Sequence, residues 1–260
     1  MRNSISLLFL LIISVCAKAQ VQDLYDPQVF VSGSDSLPYR ILYPQGFEQT
    51  KEYPLVLFLH GAGERGSNNR RQLVHGATLF TSEKSQKNYP AIVIFPQCPQ
   101  NDYWANVNRS FDDKGKKVFD FTFGNEATAA MSKLIQFTDS LIQLPYINSS
   151  QVYAMGLSMG GMGTFELMSR RPNVFAAAIP ICGGDNPLAV KAYEDEIAFW
   201  IFHGANDDIV DPQFSKLMYQ ALKKVNADVK LTIYPEANHN SWGPAFAEPE
   251  LLPWLFSKKK

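Results

Sequence analysis

The sequence predicts an α/β fold in which a mostly parallel central sheet carries helices on both faces. Short apolar runs ending in Gly or Pro alternate along the chain with longer stretches of helical period, the pattern of strand-helix-strand units. The helical stretches each present one apolar stripe, as a helix lying on a sheet must. Of the 260 residues, the roughly 241 left after an N-terminal leader of 19 suit one such domain with a sizeable core and leave little room for a second.

Taken in order, the chain opens with Arg2, an apolar run from Ile5 to Val15, and the small-residue ending Ala17-Lys18-Ala19, which together read as a secretory signal over residues 1–19. The run falls far short of the roughly twenty residues a membrane-spanning helix needs, so no stable membrane insertion is expected. Cys16 raises lipoprotein processing as an alternative, against which the bulky Val15 argues. Residues 20–260 are expected to form a single domain, secreted or periplasmic. Without Arg2 and Lys18, the 24 basic and 25 acidic residues leave a net charge of about −3. The only basic tract is Lys258-Lys259-Lys260, so nucleic acid is not an expected partner.

Strands are expected at Leu55 to Leu59, Ala91 to Phe95, Gln151 to Met155, Ala176 to Ile181, Ala198 to Phe202 and Val229 to Tyr234, with Gln28 to Val31 and Pro38 to Leu42 preceding them. Ala127, Met131, Leu134, Ile135, Leu141 and Ile142 recur at helical spacing. A second helix is punctuated by Asp211 as cap and Pro212 in its first turn, with Phe214, Leu217, Met218, Ala221, Leu222 and Val225 as its apolar face.

Gly156-Leu157-Ser158-Met159-Gly160 follows the strand ending at Met155 and precedes a segment that can be helical until Pro172. In such an elbow the serine takes a strained backbone conformation, and the flanking glycines let backbone and helix approach without a Cβ clash. The helix N-terminus offers unpaired N–H groups to the negative charge that develops in acyl transfer.

A nucleophilic serine needs a base, and the chain holds four histidines. His60 and His203 each end an apolar run before glycine and are expected to pack and hydrogen-bond locally; His75 lies in a polar stretch and is expected to be solvated. His239 follows the last strand, within reach of the elbow, and completes the order serine, acid, histidine. The acid should end the preceding strand, where Asp207 and Asp208 compete. The His203-Gly-x-x-Asp207 spacing favours Asp207, and Asp211 is already explained as a cap.

Acyl transfer also needs N–H donors for an oxyanion. One is Met159; the other is placed at Ala62, with Gly61 and Gly63 as alternatives, in the glycine-rich turn Leu59-His60-Gly61-Ala62-Gly63. Phosphate binding at that turn lacks the lysine and Ser/Thr it would require. No cofactor and no metal is expected. Arg65 could meet an anionic substrate group or pair with Glu64. The stretch Asn101 to Gly124, with Tyr103, Trp104, Phe111, Phe119, Phe121 and Phe123, leaves the carboxyl end of a strand; it either builds an aromatic wall for substrate, with Trp104 as a binding residue, or packs on its own domain. Trp242 poses the same question.

With these residues the chain resembles the secreted esterase branch of the α/β hydrolases, which includes feruloyl and acetylxylan esterases, polyhydroxybutyrate-depolymerase-like enzymes and dienelactone-hydrolase-like proteins. The resemblance spans roughly Leu37 to Phe256. It rests on Leu59 to Gly66, Pro96-Gln97-Cys98-Pro99, the Ser158 elbow, His203 to Asp207, and His239. Dienelactone hydrolases use a cysteine where this chain has Ser158, so that chemistry is not carried over. The resemblance implies an α/β-hydrolase fold in which two strands lie between those bearing Cys98 and Cys182, a gap of about 14 Å, so two free thiols are expected. It implies hydrolysis of a small-molecule or polysaccharide ester through an acyl-enzyme on Ser158, with His239 and Asp207 completing the triad. The alternatives are a serine peptidase related to prolyl-oligopeptidase catalytic domains and a non-catalytic carbohydrate-binding protein.

Overall fold

A computed structural model describes residues 21–33, 35–193 and 197–260. The signal read over residues 1–19 lies outside the described residues. Among the described residues there are ten strands: β1 (Asp26–Ser32), β2 (Asp35–Leu42), β3 (Tyr53–Leu59), β4 (Ile92–Pro96), β5 (Val107–Phe111), β6 (Lys117–Phe121), β7 (Ile147–Leu157), β8 (Ala177–Ile181), β9 (Ala198–Gly204) and β10 (Val229–Tyr234). The helices are α1 (Glu83–Asn88), α2 (Ala129–Leu141), α3 (Met159–Arg170), α4 (Pro212–Lys224), α5 (Trp242–Phe246) and α6 (Leu251–Ser257).

Eight strands form one sheet in the order β1-β2-β4-β3-β7-β8-β9-β10. The chain enters through antiparallel pairs, β1 with β2 and β2 with β4; every later pair is parallel. This is the α/β-hydrolase arrangement. β3 and β7 lie between β4 and β8, so Cys98 and Cys182 leave strands that are three positions apart; both thiols are free and buried.

The period of two along β3 distributes its side chains. Leu55, Leu57 and Leu59 enter the core beneath α2, α3 and α4, while Val56 and Phe58 enter the opposite core with α5, α6 and the short turns after β3. Helix α2 buries Met131, Leu134, Phe137 and Leu141 on that first face, each worth about 1.5–3 kcal/mol relative to exposure. Thr128 caps it by accepting from the Met131 N–H at 3.0 Å. Asp211 caps α4 in the same way through Gln213, as its position before Pro212 predicts.

The stretch Asn101 to Gly124 is not merely a loop. Its middle is an antiparallel hairpin, β5 with β6, whose turn is closed by the Asp112 carboxylate accepting from the Lys114 and Lys116 N–H groups at 2.9 and 2.8 Å, with Gly115 at φ 75°. Val107, Phe119 and Phe121 are its buried side chains. No helix among the described residues is long and apolar enough to cross a membrane.

Candidate active site

Ser158 sits at the turn between β7 and α3 with φ 54° and ψ −118°, a conformation costing on the order of 1–3 kcal/mol for a non-glycine residue. Close packing holds it there. A Cβ on Gly160 would fall 1.9 Å from the Leu59 carbonyl oxygen, and one on Gly156 would fall 2.2 Å from the Gly160 carbonyl oxygen. Only glycine lets α3 start this close to β3 and β7. Met159 opens α3, where an N–H has no intrahelical acceptor.

The loops after β9 and β10 bring the other two groups to the serine. His239 Nε2 is 2.9 Å from Ser158 Oγ, and its Nδ1 is 2.8 Å from Asp207 Oδ2. Asp207 Oδ1 accepts from the Ile209 and Val210 N–H groups, each at 2.9 Å. Burial alone would raise the Asp207 carboxyl; hydrogen bonds from His203, His239 and Val210 and the nearby His239 charge outweigh it and hold the group well below the usual carboxylate range. Asp207 is buried, whereas Asp208 is exposed. The carboxylate therefore fixes the proton of His239 on Nδ1 and leaves Nε2 to accept from the serine hydroxyl.

The turn after β3 is held by side chains behind it. The Cys98 N–H donates to His60 Nε2 at 3.0 Å, so His60 carries its proton on Nδ1, which donates to the Gly61 carbonyl at 2.7 Å. Burial pushes His60 down to about 4, which keeps it neutral. Arg65 Nε donates to the Ala62 carbonyl at 2.9 Å, and Gln97 Nε2 donates to the Glu64 carbonyl at 3.0 Å. Because this peptide is trans, tying the Gly61 carbonyl to His60 points the Ala62 N–H the opposite way.

Gly61, Ala62, Gly63, Ser158 and His239 open on one cleft of about 350 Å³, walled by Tyr103, Phe119, Ile209 and Trp242, with Glu64, His75 and Lys117 at its edges. Two expected binding residues are placed elsewhere. Trp104 is fully buried, edge-on to His60 at 5.6 Å, and its backbone and Cβ press on Gly163; it packs the loop instead of facing substrate. Arg65 neither lines the cleft nor pairs with Glu64. Its donors reach the carbonyls of Ala62 and Asp102.

His75 lies in a loop and is partly exposed, but its ring also borders the cleft. It stands 3.9 Å from Glu64 and its ring is 5.1 Å from that of Trp242, which in turn meets His239 edge-on at 5.6 Å. The alternation of β6 and the Asp112-to-Gly115 turn were the signals that could have placed Phe119 and Lys117 over the cleft. For His75 no local signal exists.

Ligand atoms of Cys182, Asp207 and His239 lie within 4.8 Å of one another. Both Asp207 oxygens and both His239 nitrogens are engaged in hydrogen bonds, and burial pushes the Cys182 thiol far up.

Sheet order and elbow together define an α/β hydrolase. Residues 47–248 match the phospholipase/carboxylesterase family, and the chain belongs to it. Among curated proteins it is 29% identical over 160 residues to a bifunctional acetylxylan esterase/xylanase, XynS20E, of Neocallimastix patriciarum, covering 62% of this chain and 20% of that protein. It is 28% identical over 174 residues to a probable feruloyl esterase C of Aspergillus terreus, covering 66% and 55%. The chain thus spans less than two thirds of either relative. A crystal structure of a thermostable esterase superposes with a TM-score of 0.82 at 31% identity, covering 93% of this chain and 64% of the other.

Proposed function

We propose that this protein is an exported serine hydrolase that cleaves carboxylic esters through an acyl-enzyme on Ser158. The observation that carries the reading is the continuous relay from Ser158 Oγ through His239 to Asp207, at 2.9 and 2.8 Å. In the first half-reaction Ser158 Oγ attacks the ester carbonyl while His239 Nε2 takes its proton, and Asp207 stabilises the imidazolium that forms. The tetrahedral oxyanion is received by the Met159 N–H and a second donor, for which the orientation of the Gly61–Ala62 peptide supports Ala62. The alcohol leaves with the proton from His239 Nε2. A water molecule, deprotonated by the same nitrogen, then releases the acid and restores Ser158.

The leader-like residues 1–19 support export, and the aromatic cleft together with the acetylxylan and feruloyl esterase relatives supports acyl groups carried on polysaccharide as substrates. The test compares p-nitrophenyl acetate, butyrate, octanoate and a feruloyl ester with a proline-containing peptide amide, alongside fluorophosphonate labelling of the parent and of Ser158→Ala. Ester turnover with labelling lost only in Ser158→Ala is expected. A preference for the amide would instead make the protein a peptidase. Ligand binding without turnover or labelling would make it a carbohydrate-binding protein.

A further inference from the structure

We propose that His203 is a second positioning residue of the relay: it shares Asp207 Oδ2 with His239 and thereby limits how much of that carboxylate's charge reaches the His239 imidazole. This inference rests on the reading of Ser158, His239 and Asp207 as a catalytic triad. His203 ends β9 and is fully buried, yet both its ring nitrogens are used. Nε2 lies 3.1 Å from Asp207 Oδ2 and 3.0 Å from the Val210 carbonyl oxygen, both acceptors, so this nitrogen carries a proton. Nδ1 is 2.7 Å from Ser215 Oγ on α4, which is 3.0 Å from the Gly183 carbonyl oxygen.

Ser215 has one proton: it goes either to His203 Nδ1, leaving the Gly183 carbonyl contact without a donor, or to Gly183, with Nδ1 then donating to Ser215. The single Nε2–H is shared between the Val210 carbonyl oxygen and Asp207 Oδ2 in both. Asp207 thus accepts two backbone N–H groups on Oδ1, and on Oδ2 it faces two imidazole nitrogens, His239 Nδ1 at 2.8 Å and His203 Nε2 at 3.1 Å. A packing histidine would need none of this directionality.

The consequence is electrostatic. A proton shared with Oδ2 neutralises part of its charge, so the imidazolium that forms on His239 during catalysis is stabilised less than by an unshared carboxylate. The Cys182 thiol, at the end of β8, also faces Asp207 but remains protonated because burial pushes it far up. Glu64 and His75 after β3 and Lys117 on β6 line the cleft and are unchanged in the variants that follow.

The experiment is the pH dependence of kcat/KM for the parent, His203→Met and His203→Gln, in which the glutamine amide can donate from near the Nε2 position. For His203→Met the acid limb is expected to move up by roughly half to one pH unit, with a fall in kcat/KM at neutral pH of about threefold at most and a larger fall on the acid side, while His203→Gln keeps the limb near that of the parent. A limb that stays in place in a folded His203→Met overturns the proposal. Should His203→Met fail to fold, imidazole ¹⁵N spectra of the parent decide: a proton on His203 Nε2 across the neutral range is expected, and a bare Nε2 overturns it. Fluorophosphonate labelling of the parent separates the two levels. A labelled parent with an unmoved limb defeats only the role of His203, whereas an unlabelled, inactive parent defeats the triad.

Discussion

Asp207→Asn is the substitution whose outcome the geometry dictates most narrowly. The amide has one acceptor and one donor end. If its oxygen takes the Oδ1 place, it keeps the Ile209 and Val210 N–H bonds, but its NH₂ then faces His239 Nδ1 and His203 Nε2. If it flips, the NH₂ meets two backbone N–H groups that cannot turn away. The first arrangement wins, since His239 can meet it by moving its proton. That proton goes to Nε2, the nitrogen 2.9 Å from Ser158 Oγ, and the ring can no longer take the serine proton. In another Ser-His-Asp hydrolase the corresponding wrong tautomer costs about 10⁴ in kcat, equivalent to ~5 kcal/mol of barrier. The expected result is a loss of that order in kcat with KM within a few-fold of the parent, measured on a p-nitrophenyl ester, with the far-ultraviolet spectrum unchanged. A folded Asp207→Asn that retains more than about a tenth of kcat would refute the assignment of the carboxylate.

Other substitutions separate packing from substrate contact. Gly160→Ala places a methyl 1.9 Å from the Leu59 carbonyl oxygen, backbone that cannot rotate aside, so α3 must shift; loss of soluble expression or of phosphonate labelling is expected, and full activity would contradict the elbow geometry. Trp104→Ala should lower stability by about 3–5 kcal/mol in denaturant unfolding, because the indole is fully buried. Trp242→Ala should leave stability nearly unchanged and raise KM for bulky acyl esters, since its ring borders the cleft. Asp185 is pushed up to about 7 by burial, with Glu166 adding to the rise. Its folded form holds a proton that the unfolded chain releases near pH 4, so stability falls as pH rises between about 4 and 7. Asp185→Asn should flatten that part of a Tm-against-pH curve, and an unaltered slope would show that the carboxyl is not so raised.

Local chemistry made much of this protein legible before any tertiary structure. Glycine spacing picks out Ser158 within a window of five residues, a cap and a first-turn proline identify α4, and the run from His203 favours Asp207 over its neighbour. Period-two alternation within β3 assigns Leu57 and Phe58 to opposite cores, because adjacent side chains on a strand have no other choice. These features depend on a few consecutive residues, so the chain order alone carries them.

What lies beside the serine was decided by folding. Trp104 and Tyr103 are neighbours in sequence, yet one is sealed against α3 and the other walls the cleft, a difference set by where the β5–β6 hairpin lands. Arg65 supports the turn from behind, His75 enters the cleft through Glu64 and Trp242, and His203 meets Asp207 only because the loop after β9 curls back on its own strand. Ser158 and His239 are 81 positions apart. Their approach follows from strand order and loop closure, long-range properties that no window of sequence contains.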